Sequence, residues 1–130
     1  MKALETIVYV DDEPDLRQIA KLALEDVGGL SVTLFENGKD ALVYLATDQP
    51  DLILLDVMMP EMDGPSTFEA LKALPNCGDI PVVFFTAKVQ SNDIQSLLAL
   101  GAVDVLAKPF DPMALADRIR GIWAKHHGGE

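Results

Sequence analysis

The chain lacks most of what would tie it to an oxidising compartment, a bilayer or a charged polymer. A single cysteine, Cys77, in 130 residues rules out an internal disulfide framework. No apolar run approaches the ~20 residues of a membrane span, and no basic segment leads into an apolar stretch as a secretory signal would. A cytoplasmic protein is expected, with no membrane insertion. Basic residues are few, 10 Lys and Arg against 21 Asp and Glu. The resulting net charge of −11 would be repelled by phosphate backbones, which argues against direct nucleic-acid binding. There is no internal repeat and no linker. With 49% hydrophobic residues, the chain has single-domain size and can bury roughly two-thirds of its unfolded surface.

What it does contain is a recurring unit. Ile7-Val8-Tyr9-Val10 stops at Asp11-Asp12-Glu13-Pro14 and reads as a buried strand feeding a helix with Pro14 in its first turn. Leu16, Ile19, Ala20, Ala23 and Val27 follow at helical spacing until Gly28-Gly29. A second unit runs from Ser31 to Phe35, then through Asn37-Gly38 into a helix carrying Ala41, Leu42 and Leu45. The third is the most pointed. Leu52-Ile53-Leu54-Leu55 fits a strand buried on both faces, ends at Asp56, and leads through Pro60, Asp63 and Gly64 to a helix with Phe68, Leu71 and Leu74. The fourth strand, Ile80 to Phe85, ends at Thr86. Ser91 or Asn92 can cap the next helix, which turns Ile94, Leu97 and Leu98 inward and stops at Gly101. Val103 to Ala107 is a fifth strand ending at Lys108-Pro109. Asp111 and Pro112 open a last helix with Leu115, Ile119 and Ile122, and residues 126–130 read as a flexible tail.

Five strands alternating with five helices predict one α/β domain over residues 1–125, a flavodoxin-like doubly wound parallel sheet with strand order 2-1-3-4-5. The carboxyl ends of such strands line the crevice where ligands bind. Asp11 and Asp12, Asp56, Thr86 and Lys108 all fall on that edge. Each has an ordinary alternative: acids complementing a helix N-terminus, a strand-forming threonine, a solvated turn. Together they weigh differently. Three converging carboxylates are costly unless one is protonated or a cation is held, and hard oxygen ligands with room for water suit Mg²⁺. An acid nucleophile, a metal, a hydroxyl and a lysine are the parts of a phosphoryl-transfer site.

The residues Val8-Tyr9-Val10-Asp11-Asp12-Glu13-Pro14, Asp51 to Pro60 with Met62-Asp63-Gly64, Thr86-Ala87 and Lys108-Pro109-Phe110 closely resemble the receiver domain of bacterial two-component response regulators, stand-alone chemotaxis regulators among them. The resemblance spans almost the whole chain. It implies that Asp56 accepts a phosphoryl group from the phosphohistidine of a sensor histidine kinase or phosphotransfer protein, in phosphorelay signal transduction. It implies Mg²⁺ on Asp12, Asp56 and the backbone carbonyl of Met58, with Asp11 acting through water. Lys108 would contact the phosphoryl oxygens, Thr86 would turn inward to one of them, and Lys108-Pro109 would be a cis peptide. Such a protein is a phosphoacceptor that promotes its own phosphorylation and dephosphorylation rather than an enzyme acting on a separate substrate. Its output would be binding to a downstream protein effector.

Three positions depart from the family pattern: Val105 where an aromatic is usual, Pro65 after Gly64, and Lys88 two residues after Thr86. A monomer is expected, because the helix from Asn92 to Leu100 has no basic residue for the ion pairs through which many family members dimerise. The chain reads as a stand-alone receiver or as a piece of a longer regulator. Two other classes fit less well. A haloacid-dehalogenase-like phosphatase needs an acid where Met58 stands, and a flavodoxin-like carrier would not place three acids against a flavin phosphate.

Overall fold

A computed structural model describes residues 3–87 and 90–128. In chain order the elements are β1 (Thr6–Val10), α1 (Pro14–Lys21), β2 (Ser31–Phe35), α2 (Gly38–Leu45), β3 (Leu52–Asp56), α3 (Gly64–Lys72), β4 (Val82–Thr86), α4 (Ser91–Leu100), β5 (Asp104–Ala107) and α5 (Leu115–Gly128). The sheet has five strands in the order β2-β1-β3-β4-β5, and every pairing is parallel. This is the flavodoxin-like arrangement expected from the alternation of strand and helix.

Side chains on a strand alternate between faces, and that alternation builds two cores. Tyr9, Leu54, Phe85 and Leu106 pack toward α5 and the first helix, where Ala20, Ala23, Leu24 and Ile119 are buried. Val8, Val10, Leu55, Phe84 and Val105 face the other way, onto Ala41, Phe68, Leu71 and Leu97 of the intervening helices. β3 lies at the centre, and each of its residues is buried. Its four apolar side chains are each worth roughly 2 kcal/mol removed from water, which fixes the height at which Asp56 emerges. The opposite end of β3 is tied down by Asp51. Its Oδ2 accepts from the backbone N–H groups of Glu5 (2.9 Å) and Thr6 (3.1 Å), so β1 and β3 are locked in register before either reaches the functional edge.

Several local expectations are revised. The first helix continues past Lys21 as a π-helical segment, Leu22–Val27. Ala20, Ala23 and Leu24 form the buried face, while Ile19, in the regular helix before the widened turn, and Val27, at the end of it, are exposed. Gln90, not Ser91 or Asn92, is the N-cap of α4, and it caps without a side-chain hydrogen bond. Leu98 is exposed, since only one face of this short helix meets the sheet. Asp111 does cap a turn, its Oδ1 accepting from the Met113 N–H at 2.9 Å, but the α-helix proper begins at Leu115. The flexible tail expected from His126 is helical through Gly128, because no proline or cap interrupts the i to i−4 bonding after Lys125. Gly129 and Glu130 lie outside the described residues. Among the described residues no helix is long and apolar enough to cross a membrane.

Candidate functional site

Strand register brings the predicted residues together. Val10 pairs with Leu55, so the residues that follow, Asp11 and Asp56, emerge side by side. Both lie two residues beyond a side chain of the α1 and α5 face, Tyr9 and Leu54, and so share that face. Lys108 lies two residues beyond Leu106 and points the same way. Its Nζ stands 3.0 Å from Asp11 Oδ2, 3.0 Å from Asp56 Oδ1 and 3.4 Å from Glu13 Oε1. The peptide bond between Lys108 and Pro109 is cis, as the sequence led us to expect.

Asp11 is fully buried, and its carboxylate is well supplied with donors. Oδ1 accepts from the Glu13 N–H at 2.9 Å, and Oδ2 accepts from the Tyr9 hydroxyl at 2.6 Å as well as from Lys108. The Arg17 guanidinium donates to the Asp11 carbonyl at 2.7 Å, tying α1 to the end of β1. Asp56 is different. It is 2% exposed, and its Oδ2 is a buried oxygen with no hydrogen-bond partner among the described residues. An orphaned buried acceptor is rare, since leaving one unsatisfied costs about 1–3 kcal/mol, and it marks a place where a further group is accommodated.

The electrostatics follow. Burial pushes the Asp56 carboxyl up from 3.8 to about 6, against the pull of the Lys108 hydrogen bond and with the Asp11 and Asp12 charges adding to the rise. Burial alone would lower the Lys108 ammonium, but its hydrogen bonds to Asp11 and Asp56 prevail and it stays above its ordinary value. Burial, then the hydrogen bond to Asp11, drives the Tyr9 phenol well above its usual range. Asp11, Asp12 and Asp56 each offer one oxygen within 4.8 Å of the others. Three hard carboxylate donors this close together fit a small divalent cation.

The remaining predicted residues sit at the rim. Thr86 is buried at the end of β4, its Cα opposite Ala107, on the face of Phe84 and Val105 rather than that of Lys108. Met58 is 62% exposed in the loop after β3. That loop folds back tightly: the Gly64 N–H donates to the Val57 carbonyl at 2.9 Å, and Asp63 caps α3 by accepting from the Ser66 N–H. A Cβ on Gly64 would lie 2.4 Å from the Asp56 carbonyl oxygen, so only glycine lets α3 start this close to the acid. Lys88 lies outside the described residues. The sequence reading did not single out Tyr9 or Arg17; for Tyr9 the signal was there, an i, i+2 pair with Asp11 on one strand face.

The sequence profile of the response regulator receiver domain matches residues 7–120. The chain belongs to this family. Among curated relatives of this receiver domain is an uncharacterised 14.6 kDa protein of Leptolyngbya boryana, 40% identical over 109 residues, with 84% of this chain and 82% of that protein covered. Several other relatives, 34–36% identical, are longer, and this receiver spans about half their length. The chemotaxis protein CheY4 of Vibrio cholerae has a solved structure with a TM-score of 0.85 and 28% identity, covering 92% of this chain and 99% of that one. The receiver domain of the sensor histidine kinase PA1611 of Pseudomonas aeruginosa, described with a magnesium ion coordinated in its active-site cleft, gives a TM-score of 0.81 at 31% identity, covering 95% and 99%.

Proposed function

We propose that this response regulator receiver domain takes its phosphoryl group on Asp56. The observation that carries the reading is the asymmetry of that carboxylate, with Oδ1 held by Lys108 at 3.0 Å and Oδ2 buried and unclaimed. Oδ2 attacks the phosphorus of a phosphohistidine on a sensor histidine kinase or phosphotransfer protein. An O–P bond forms, the P–N bond breaks, and the electron pair returns to the imidazole nitrogen, which takes up a proton. A carboxylate is a weak nucleophile, so the site must work through positioning and charge. Lys108, fixed between two acids, is poised to exchange its contact with Asp56 for one with a phosphoryl oxygen. Thr86 supplies a hydroxyl from the neighbouring strand end. Asp12, Asp56 and the Met58 carbonyl would hold Mg²⁺, with Asp11 acting through water, and the cation would neutralise charge on the transferring group. Support comes from the three clustered oxygens and from the magnesium described in the cleft of PA1611.

In this reading the chain is a cytoplasmic monomer, a phosphoacceptor that also promotes loss of its own phosphoryl group. Phosphorylation switches its binding to a downstream protein effector, with no direct contact to nucleic acid. Incubation with acetyl phosphate and Mg²⁺ followed by mass spectrometry tests the core of it. Wild type should gain about 80 Da, the mass of a phosphoryl group, and Asp56→Asn should not. Equal labelling of both would place the acceptor elsewhere.

A further inference from the structure

We propose that Tyr9 is a positioning residue that limits Asp11 to one available oxygen lone pair and thereby favours Mg²⁺ over Ca²⁺ at the acidic site. The inference rests on the reading of Asp11, Asp12 and Asp56 as a cation site.

Tyr9 is fully buried and shares a strand face with Asp11. A buried phenol needs a partner for its hydroxyl, and the one it has is Asp11 Oδ2 at 2.6 Å. The ring is held from behind. Phe85 packs edge-on against it at 5.6 Å between centroids and 73°, and Phe110 backs Phe85 at 5.4 Å. The hydroxyl therefore reaches Asp11 from a fixed direction.

Lone-pair counting then decides what Asp11 has left. Each carboxylate oxygen offers about two acceptor sites. Oδ2 is filled by Tyr9 and Lys108, and Oδ1 has given one site to the Glu13 N–H. Among the described residues one site remains, on Oδ1. Such a carboxylate can accept from a water or donate one oxygen to a cation, but it cannot chelate with both. Mg²⁺ demands near-octahedral geometry and keeps several waters, so single contacts suit it, whereas Ca²⁺ takes more ligands and readily accepts bidentate carboxylates. The Tyr9 hydroxyl, by occupying Oδ2, withholds the contact that Ca²⁺ would gain most from.

Tyr9→Phe removes only the hydroxyl and keeps the ring against Phe85. Calorimetric titration of wild type, Tyr9→Phe and Leu45→Val with MgCl₂ and with CaCl₂ tests the inference. In Tyr9→Phe the ratio of Ca²⁺ to Mg²⁺ dissociation constants should fall by roughly threefold or more. Leu45→Val, in the core on the other face of the sheet, should lower Tm while leaving that ratio as in wild type, which separates positioning from general loosening. An unchanged ratio in a folded Tyr9→Phe protein overturns the inference and leaves the cation site intact, whereas wild type that binds neither ion overturns the cation reading itself. A second measurement needs no variant. The Tyr9 hydroxyl proton should give a slowly exchanging downfield resonance that persists when wild type is saturated with Mg²⁺, and its loss on saturation would also overturn the inference.

Discussion

Replacing Asp56 with asparagine should make the protein more stable at neutral pH. The folded carboxyl titrates near 6 rather than 3.8, so the native state holds its proton to a higher pH than the unfolded chain does. The stability associated with the neutral acid is complete below 3.8 and is lost as pH rises through about 6. By pH 7 the loss amounts to about 3 kcal/mol. Asparagine has the shape of the neutral acid and escapes that loss, while its amide oxygen can still accept from Lys108. Urea unfolding of wild type and Asp56→Asn in EDTA, at a series of pH values, should give curves that meet near pH 4, separate between pH 4 and 6, and differ by up to about 3 kcal/mol at pH 7.5, or about 10 °C in Tm. Millimolar Mg²⁺ should close the gap from below by binding only the native wild type. A variant no more stable than wild type at pH 7.5, or one with the same advantage at pH 4, would refute the idea that Asp56 is held under electrostatic strain.

Lys108→Ala leaves Asp11 and Asp56 facing each other with no ammonium between them, and should cost about 3–5 kcal/mol by urea unfolding. Adding Asp56→Asn should recover part of that loss, and strict additivity would argue against direct coupling. Gly64→Ala places a Cβ 2.4 Å from the Asp56 carbonyl oxygen and 2.9 Å from Val57 Cα, both backbone, so the acid must shift. Its labelling rate with acetyl phosphate should fall by roughly tenfold or more, as small misplacements of reacting groups do, and a wild-type rate would remove Gly64 from the site. Val105 is buried against the face of Phe84 with a short, stiff side chain, so amide shifts induced by beryllofluoride and Mg²⁺ should concentrate near Asp56 and from Thr86 to Ser91. Large changes along β5 and α5 would contradict this. Sedimentation with beryllofluoride should show a monomer, and a dimer abolished by Arg118→Ala would refute that expectation.

The strands were legible because each is a short apolar run cut off by a polar residue, and a buried parallel sheet leaves that mark on a sequence. The cluster followed once strand order was settled, since strand ends share an edge. Less was legible where periodicity hides a change of geometry. The widened π-helical turn at Leu22–Val27 leaves no mark on the apolar spacing, and Val27 at its end, like Ile19 before it, has the spacing of a core residue and is exposed. Hydrophobic pattern alone makes Tyr9 a strand former, and the cue to its hydroxyl is instead its i, i+2 spacing from Asp11 on one strand face. The continuation of α5 through Gly128 was missed because histidines and a closing glycine resemble a tail, while a helix already propagating tolerates them.

Two acids bracket β3, and they stand for opposite uses of one functional group. Asp51 is a rivet: its Oδ2 fastens two N–H groups of the neighbouring segment and keeps β1 from sliding. Asp56, five residues on, is a socket, buried too but, among the described residues, with one oxygen left over. Burial alone would rank the two alike as reactive groups. Counting unspoken-for lone pairs separates them, and the rivet is what keeps the socket at a fixed height. A slip of one residue at the Asp51 end would turn Asp56 onto the opposite face of the sheet, away from Lys108.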